Sequence, residues 1–199
     1  MPTRHLLSVT CLVVSAGLSS AADFPTPYDS QKTDGNPLMP ATEAVTKSQL
    51  PPGFQATLFA SEPQVHDPIA MTFDARGRLW VVENHTYAEA KLNFDTKLSD
   101  RIVIFHDDDG NGKSEKQVVF ADTLKRLTSV ELGFGGVYAL RPPQLLFIPD
   151  ANHDDVPDGE PQVLLDGFDF GPVRHDIANG LKWGPDGRTL RGATSLRSR

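Results

Sequence analysis

From Leu50 onward the apolar residues fall in short runs, separated by clusters of Gly, Pro, Asp and Asn. The runs are Ala56–Ala60, Ile69–Phe73, Leu79–Val82, Ile102–Phe105, Val118–Phe120, Val130–Leu132, Val137–Leu140, Leu145–Ile148, Val163–Leu165 and Leu181–Trp183. None reaches the roughly ten to twelve residues that a helix needs, and strand formers dominate them. The pattern predicts an all-β chain over residues 50–199. Residues 23–49 are polar and dotted with Pro25, Pro27, Pro37 and Pro40, and read as an extended leader or linker.

Residues 1–22 have a different texture. Arg4 and His5 precede an apolar run from Leu6 to Leu18, and Ser19, Ser20, Ala21 and Ala22 follow. That order reads as a secretory signal peptide cleaved after Ala21 or Ala22, too short to cross a bilayer. The chain is therefore expected to be exported (periplasmic, cell-surface or secreted) with no transmembrane span. Cys11, the single cysteine, lies inside the removed segment, so disulfides and thiolate metal sites are excluded from the mature chain. Bound ions are then a natural source of extra stability.

An internal repeat sharpens the fold. RIVIFHDDDGNGKSEKQVVF, from Arg101, lies over QLLFIPDANHDDVPDGEPQVL, from Gln144, after a shift of about 43 residues. Each copy reads strand, acidic loop, strand, at a period that suits a four-stranded propeller blade. A second echo pairs IAMTFDARGRLW, from Ile69, with GLKWGPDGRTL, from Gly180. The expected fold is a partial β-propeller, about three to four blades of a six-bladed ring. After Gly187 the sequence RTLRGATSLRSR has four Arg and few strand formers, which predicts a truncated or frame-shifted and inactive fragment.

Charge narrows the chemistry. The 19 Lys and Arg against 26 Asp and Glu give a net −7, and no basic run exceeds a pair, so nucleic acid is not an expected partner. Much of the acid sits in two loops. Asp107, Asp109 and Asn111 alternate ahead of Glu115; Asp150, Asn152 and Asp154 alternate ahead of Asp158. Oxygens at positions 1, 3, 5 and 9 of a tight loop converge on one centre, as a hard Ca²⁺ requires. The plainer reading is two solvated Asx turns. Asp155 stands where the first loop has the turn glycine Gly112, which weakens the second site.

His175, in PVRHDIANGLKWGPDG, is the candidate general base, since an unperturbed imidazole titrates near neutrality. An ordinary loop histidine is the alternative. Glu83 to Tyr87 and Thr128 to Glu131 are polar loops that could line a binding face, and Asn84-His85-Thr86 matches a glycosylation sequon. No GxSxG, HExxH or phosphate-loop pattern is present.

Five strings, in order, carry a family resemblance: LPPGFQATLFASEP, DPIAMTFDARGRLWVVENHTYAE, RIVIFHDDDGNGK, LTSVELGFGGVYALRPPQLLFIPDANHDDVPDG and HDIANGLKWGPDG. The chain resembles the N-terminal propeller of planctomycete-type membrane-bound dehydrogenases from about Leu50 to Gly187. Such proteins continue into helical repeats and often a c-type haem module. Their fold is similar to that of the soluble quinoprotein sugar dehydrogenases, which implies pyrroloquinoline quinone and calcium as cofactors and a sugar or alcohol as substrate. His175 ahead of Gly180-Leu181-Lys182-Trp183-Gly184-Pro185-Asp186 resembles the catalytic element of those enzymes, though two residues further from the glycine. The resemblance implies that His175 takes the hydroxyl proton. The alternative is a non-catalytic, calcium-stabilised propeller that binds glycan or protein.

Overall fold

The computed structural model describes residues 39–88, 93–168 and 177–185. The expected signal peptide, most of the leader, His175 and the Arg-rich end lie outside these residues. Eight strands and one short helix are present among them.

Two four-stranded antiparallel sheets account for the strands. The first is ordered β1 (Pro68–Phe73), β2 (Leu79–Glu83), β3 (Asp100–His106) and β4 (Lys116–Leu124). The second is ordered β5 (Ser129–Leu132), β6 (Gly136–Arg141), β7 (Gln144–Pro149) and β8 (Gln162–Asp166). Each is a simple meander, in which every strand pairs with its sequence neighbour. Eight of the ten apolar runs form these strands.

The other two runs differ. Ala56–Ala60 takes no strand conformation; it lies beside the first acidic loop, with Ser114 N donating to Phe59 O at 2.9 Å. Leu181–Trp183 follows β5 through side chains rather than a ladder: Leu181 N donates to Ser129 Oγ at 2.8 Å and Trp183 Nε1 to Leu132 O at 2.8 Å. The helix, α1 (Ala41–Lys47), falls in the stretch read as an extended leader. It buries no residue and carries a Glu43–Lys47 ion pair one turn apart at 2.6 Å. The helix precedes the stretch expected to be all-β, and from residue 50 onward every described element is a strand.

Alternation along the strands builds the core. Trp80, Val82, Ile102 and Ile104 leave one face of the first sheet and meet Val130, Val137, Ala139, Leu146 and Ile148 of the second. Phe120, Leu124 and Leu127 complete this cluster. The register repeats between sheets. Phe73 faces Leu79 and Leu79 faces Phe105, as Leu132 faces Val137 and Val137 faces Ile148. The largest length difference between the copies lies between their second and third strands: residues 84–99 join β2 to β3, whereas Pro142 and Pro143 alone join β6 to β7. Gly136 is required where β6 crosses β7, since a Cβ there would sit 2.5 Å from Ile148 O.

Candidate metal centre

An acidic loop joins the third and fourth strands of each sheet, so both loops leave the same edge of the repeat. In the first, Asp107 Oδ1 accepts from Asn111 N at 3.0 Å and Oδ2 from Gly112 N at 2.9 Å, while Glu115 Oε2 accepts from Asp108 N at 3.0 Å. In the second, Asp150 Oδ1 accepts from Asp154 N at 3.2 Å and Asp158 Oδ2 from Ala151 N at 2.6 Å. The middle residue bonds the same way in both, Asn111 N to Asp109 Oδ1 and Asp154 N to Asn152 Oδ1. Two different sequences have folded into one loop.

Backbone dihedrals agree. Gly110 and Gly112 have φ of 71° and 80°; His153 and Asp155, at the same two steps, have 57° and 69°. The left-handed turn expected to disfavour Asp155 is therefore adopted without glycine. Asp tolerates that region better than most side chains. Here Arg78 holds it as well, with Nη1 donating to Asp155 Oδ2 at 2.6 Å.

The loops differ in how they present their carboxylates. One ligand atom each of Asp107, Asp109 and Glu115 lie within 4.8 Å of one another, a convergence that among the described residues belongs to the first loop. Asp107 is half-buried and the other two are exposed. Asn111 Nδ2 donates to Asp109 Oδ2 at 2.9 Å. In the second loop Asp154 Oδ2 is turned onto Asn152 Nδ2 at 2.9 Å. Three hard, anionic oxygens gathered at a hairpin tip suit Ca²⁺ better than a soft metal, and like charges so close favour a cation between them.

A polar clasp joins the sheets at this end. Asp74 accepts from Arg76 N and Arg78 N at 2.9 Å each, from Arg78 Nε at 2.7 Å and from Trp80 Nε1 at 3.2 Å. Burial alone would raise its pKa. The Arg78 backbone, the Trp80 indole and the Arg78 guanidinium outweigh burial and hold the carboxyl below its ordinary range. Arg76 Nη2 adds a bond to His153 O at 3.3 Å.

The opposite end of the sheets holds the polar segment 83–87, and much of it is packed rather than displayed. Glu83 is fully buried, accepting from His66 N at 2.9 Å and Arg101 Nε at 2.7 Å. Asn84 is buried with Nδ2 donating to Leu127 O at 2.8 Å, which leaves the sequon asparagine no room for a glycan. Asp100, also fully buried, receives Thr86 N and Leu127 N at 2.7 Å each and Thr86 Oγ1 at 3.1 Å. Burial pushes the Asp100 pKa up against those three donors. Glu131 is buried and accepts from Thr72 Oγ1 at 3.3 Å, tying β5 to β1. Sequence reading missed Asp74, Arg78 and Asp100. Asp74 and Arg78 sit in an ordinary-looking turn, and the partners that give Arg78 and Asp100 their roles, Asp155 and Leu127, are far off in the chain.

Residues 40–196 match the family described as a domain of unknown function, DUF7133. The chain belongs to that family. The DUF7133 span takes in all eight strands and both acidic loops. No curated protein and no solved structure matches the chain. No helix among the described residues of this DUF7133 chain is long and apolar enough to cross a membrane.

Proposed function

We propose that this DUF7133 chain supplies successive blades of a β-propeller in an exported, dehydrogenase-like protein, and that its acidic loops take up calcium as structural ions. One observation carries the reading. Two four-stranded meanders repeat strand order, register and an acidic loop down to its hydrogen bonds. A repeat of that kind, with first strands side by side and acidic loops on one edge, is how propeller blades are arranged. The resemblance to quinoprotein-like dehydrogenases, not the geometry, supplies the proposed activity: oxidation of a sugar or alcohol, with His175 as base.

For calcium, the donor set fits. Asp107, Asp109 and Glu115 would hold the ion in the first loop, with Asn111 as an oxygen donor beside them. Asp150, Asn152, Asp154 and Asp158 form the second, weaker site, because among the described residues only the first loop brings three carboxylates within 4.8 Å of one another. Bound ions would neutralise the loops and fix the hairpins. Pyrroloquinoline quinone has no holding residues among those described, so no chemical step is assigned to it.

Thermal unfolding with and without chelator tests the calcium part: calcium should raise Tm by several degrees, and an unchanged Tm counts against it. Dye reduction with added quinone by a full-length relative tests the oxidoreductase part. Turnover there that is lost when the histidine equivalent to His175 becomes Ala supports it; glycan binding without turnover selects the non-catalytic reading.

A further inference from the structure

Along β1, Ile69, Met71 and Phe73 share one face and are 46%, 68% and 66% exposed. A bare apolar row on an edge strand is a liability unless something covers it. The repeat shows what covers it elsewhere. By strand register Met71 corresponds to Val130 and Phe73 to Leu132. Val130 is buried in the core beside Trp80, with Leu132 packed against the same cluster. The sequence echo places Leu181 and Trp183 at the same two positions of the next repeat. Leu181 is buried with Leu140 and Leu145, and Trp183 meets Tyr138 edge-on with ring centroids 5.5 Å apart.

At both later occurrences, therefore, this pair is sealed by the preceding sheet, on the face that carries Trp80 and Val82 or Tyr138 and Leu140. We infer that the face of β1 with Met71 and Phe73 is the seat of a further four-stranded sheet of the same repeat, the one that closes the ring on the first sheet. This rests on the propeller reading. The outer part of the face is already capped, with Phe59, Ala60 and Val65 packed on Val81, Val103 and Phe105. An open apolar groove of about 330 Å³ remains beside Met71 and Ile69. The partner face is apolar, with an aromatic at the position of Trp80 and Tyr138. A second copy of this chain offers no such face, since the first sheet's lies under the second and the second's under Leu181 and Trp183.

Lifting that cover tests the assignment. The full chain with Leu181→Asp and Trp183→Asp should associate head to tail in sedimentation equilibrium. Adding Met71→Lys and Phe73→Lys should weaken the association by roughly thirtyfold or more. Association indifferent to those lysines, or a monomer with native far-UV circular dichroism, overturns the inference. So does a wild-type dimer that the lysines dissolve, because the face would then pair with its own copy. If the aspartates unfold the chain, a milder opening reads the same contact. In a Cys11→Ser, Trp183→Ala background, Phe73→Cys on one chain should capture Tyr138→Cys on another, and no cross-linked dimer overturns the inference. A monomer that keeps native circular dichroism would strike this face alone, because the two repeated sheets behind the propeller reading would be intact.

Discussion

Arg78, at the β1–β2 turn, donates through Nη1 to Asp155 Oδ2 at 2.6 Å, and so pins the second sheet's acidic loop to the first sheet. The same guanidinium holds Asp74 through Nε at 2.7 Å. Asp155 sits at φ 69°, a backbone state its counterpart Gly112 adopts freely. The loop keeps its shape through a neighbour's cation where the first loop has glycine.

Arg78→Met keeps the stem and removes the charge. It should cost about 2–4 kcal/mol, because it leaves two partly buried carboxylates unpaired. Chemical denaturation measures this. A loss below about 0.5 kcal/mol would place the pair among exposed ion pairs that contribute little.

Acid stability should depend on Asp74. Its folded pKa lies below its ordinary 3.8, so its contribution is present above that value and is lost as pH falls through the lower, folded one. Asp74→Asn should lower stability at neutral pH and flatten the decline in that acid window. Parallel pH profiles for the two proteins would contradict the assignment.

Asp100 behaves in the opposite sense. Its folded pKa is raised, first by burial, so the stability linked to its protonation is complete below 3.8 and is lost as pH rises through the folded value. Its three hydrogen-bond donors still make it the anchor between residues 86 and 127. Asp100→Ala should cost about 2–4 kcal/mol, since Leu127 N and Thr86 N would be buried without acceptors. An Asp100→Ala chain as stable as wild type in urea would show that water replaces the carboxylate.

Much of the fold was legible in the chain because alternation and turn residues report on local geometry. Eight of the strands lie where short β-branched runs are bounded by Gly, Pro or Asp. The acidic loops were legible for the same reason, since Asp107, Asp109, Asn111 and Glu115 act within one turn. What escaped was long-range. Asp155 reads as a poor turn residue until Arg78, far earlier in the chain, is seen to hold it. The polar run at 83–87 reads as a surface loop, yet Asn84 and Thr86 turn inward to Leu127 and Asp100. Ala56–Ala60 has strand composition but lies against the first acidic loop instead of entering a sheet.

Calorimetric titration of the full chain with calcium shows whether the proposed ion seats in the first acidic loop. Wild type should take up calcium in two steps, the tighter belonging to Asp107, Asp109 and Glu115. Asp107→Asn should abolish the tighter step, and Asp150→Asn only the weaker one. No uptake by wild type, or a tight step untouched by Asp107→Asn, would mean that this loop holds no calcium.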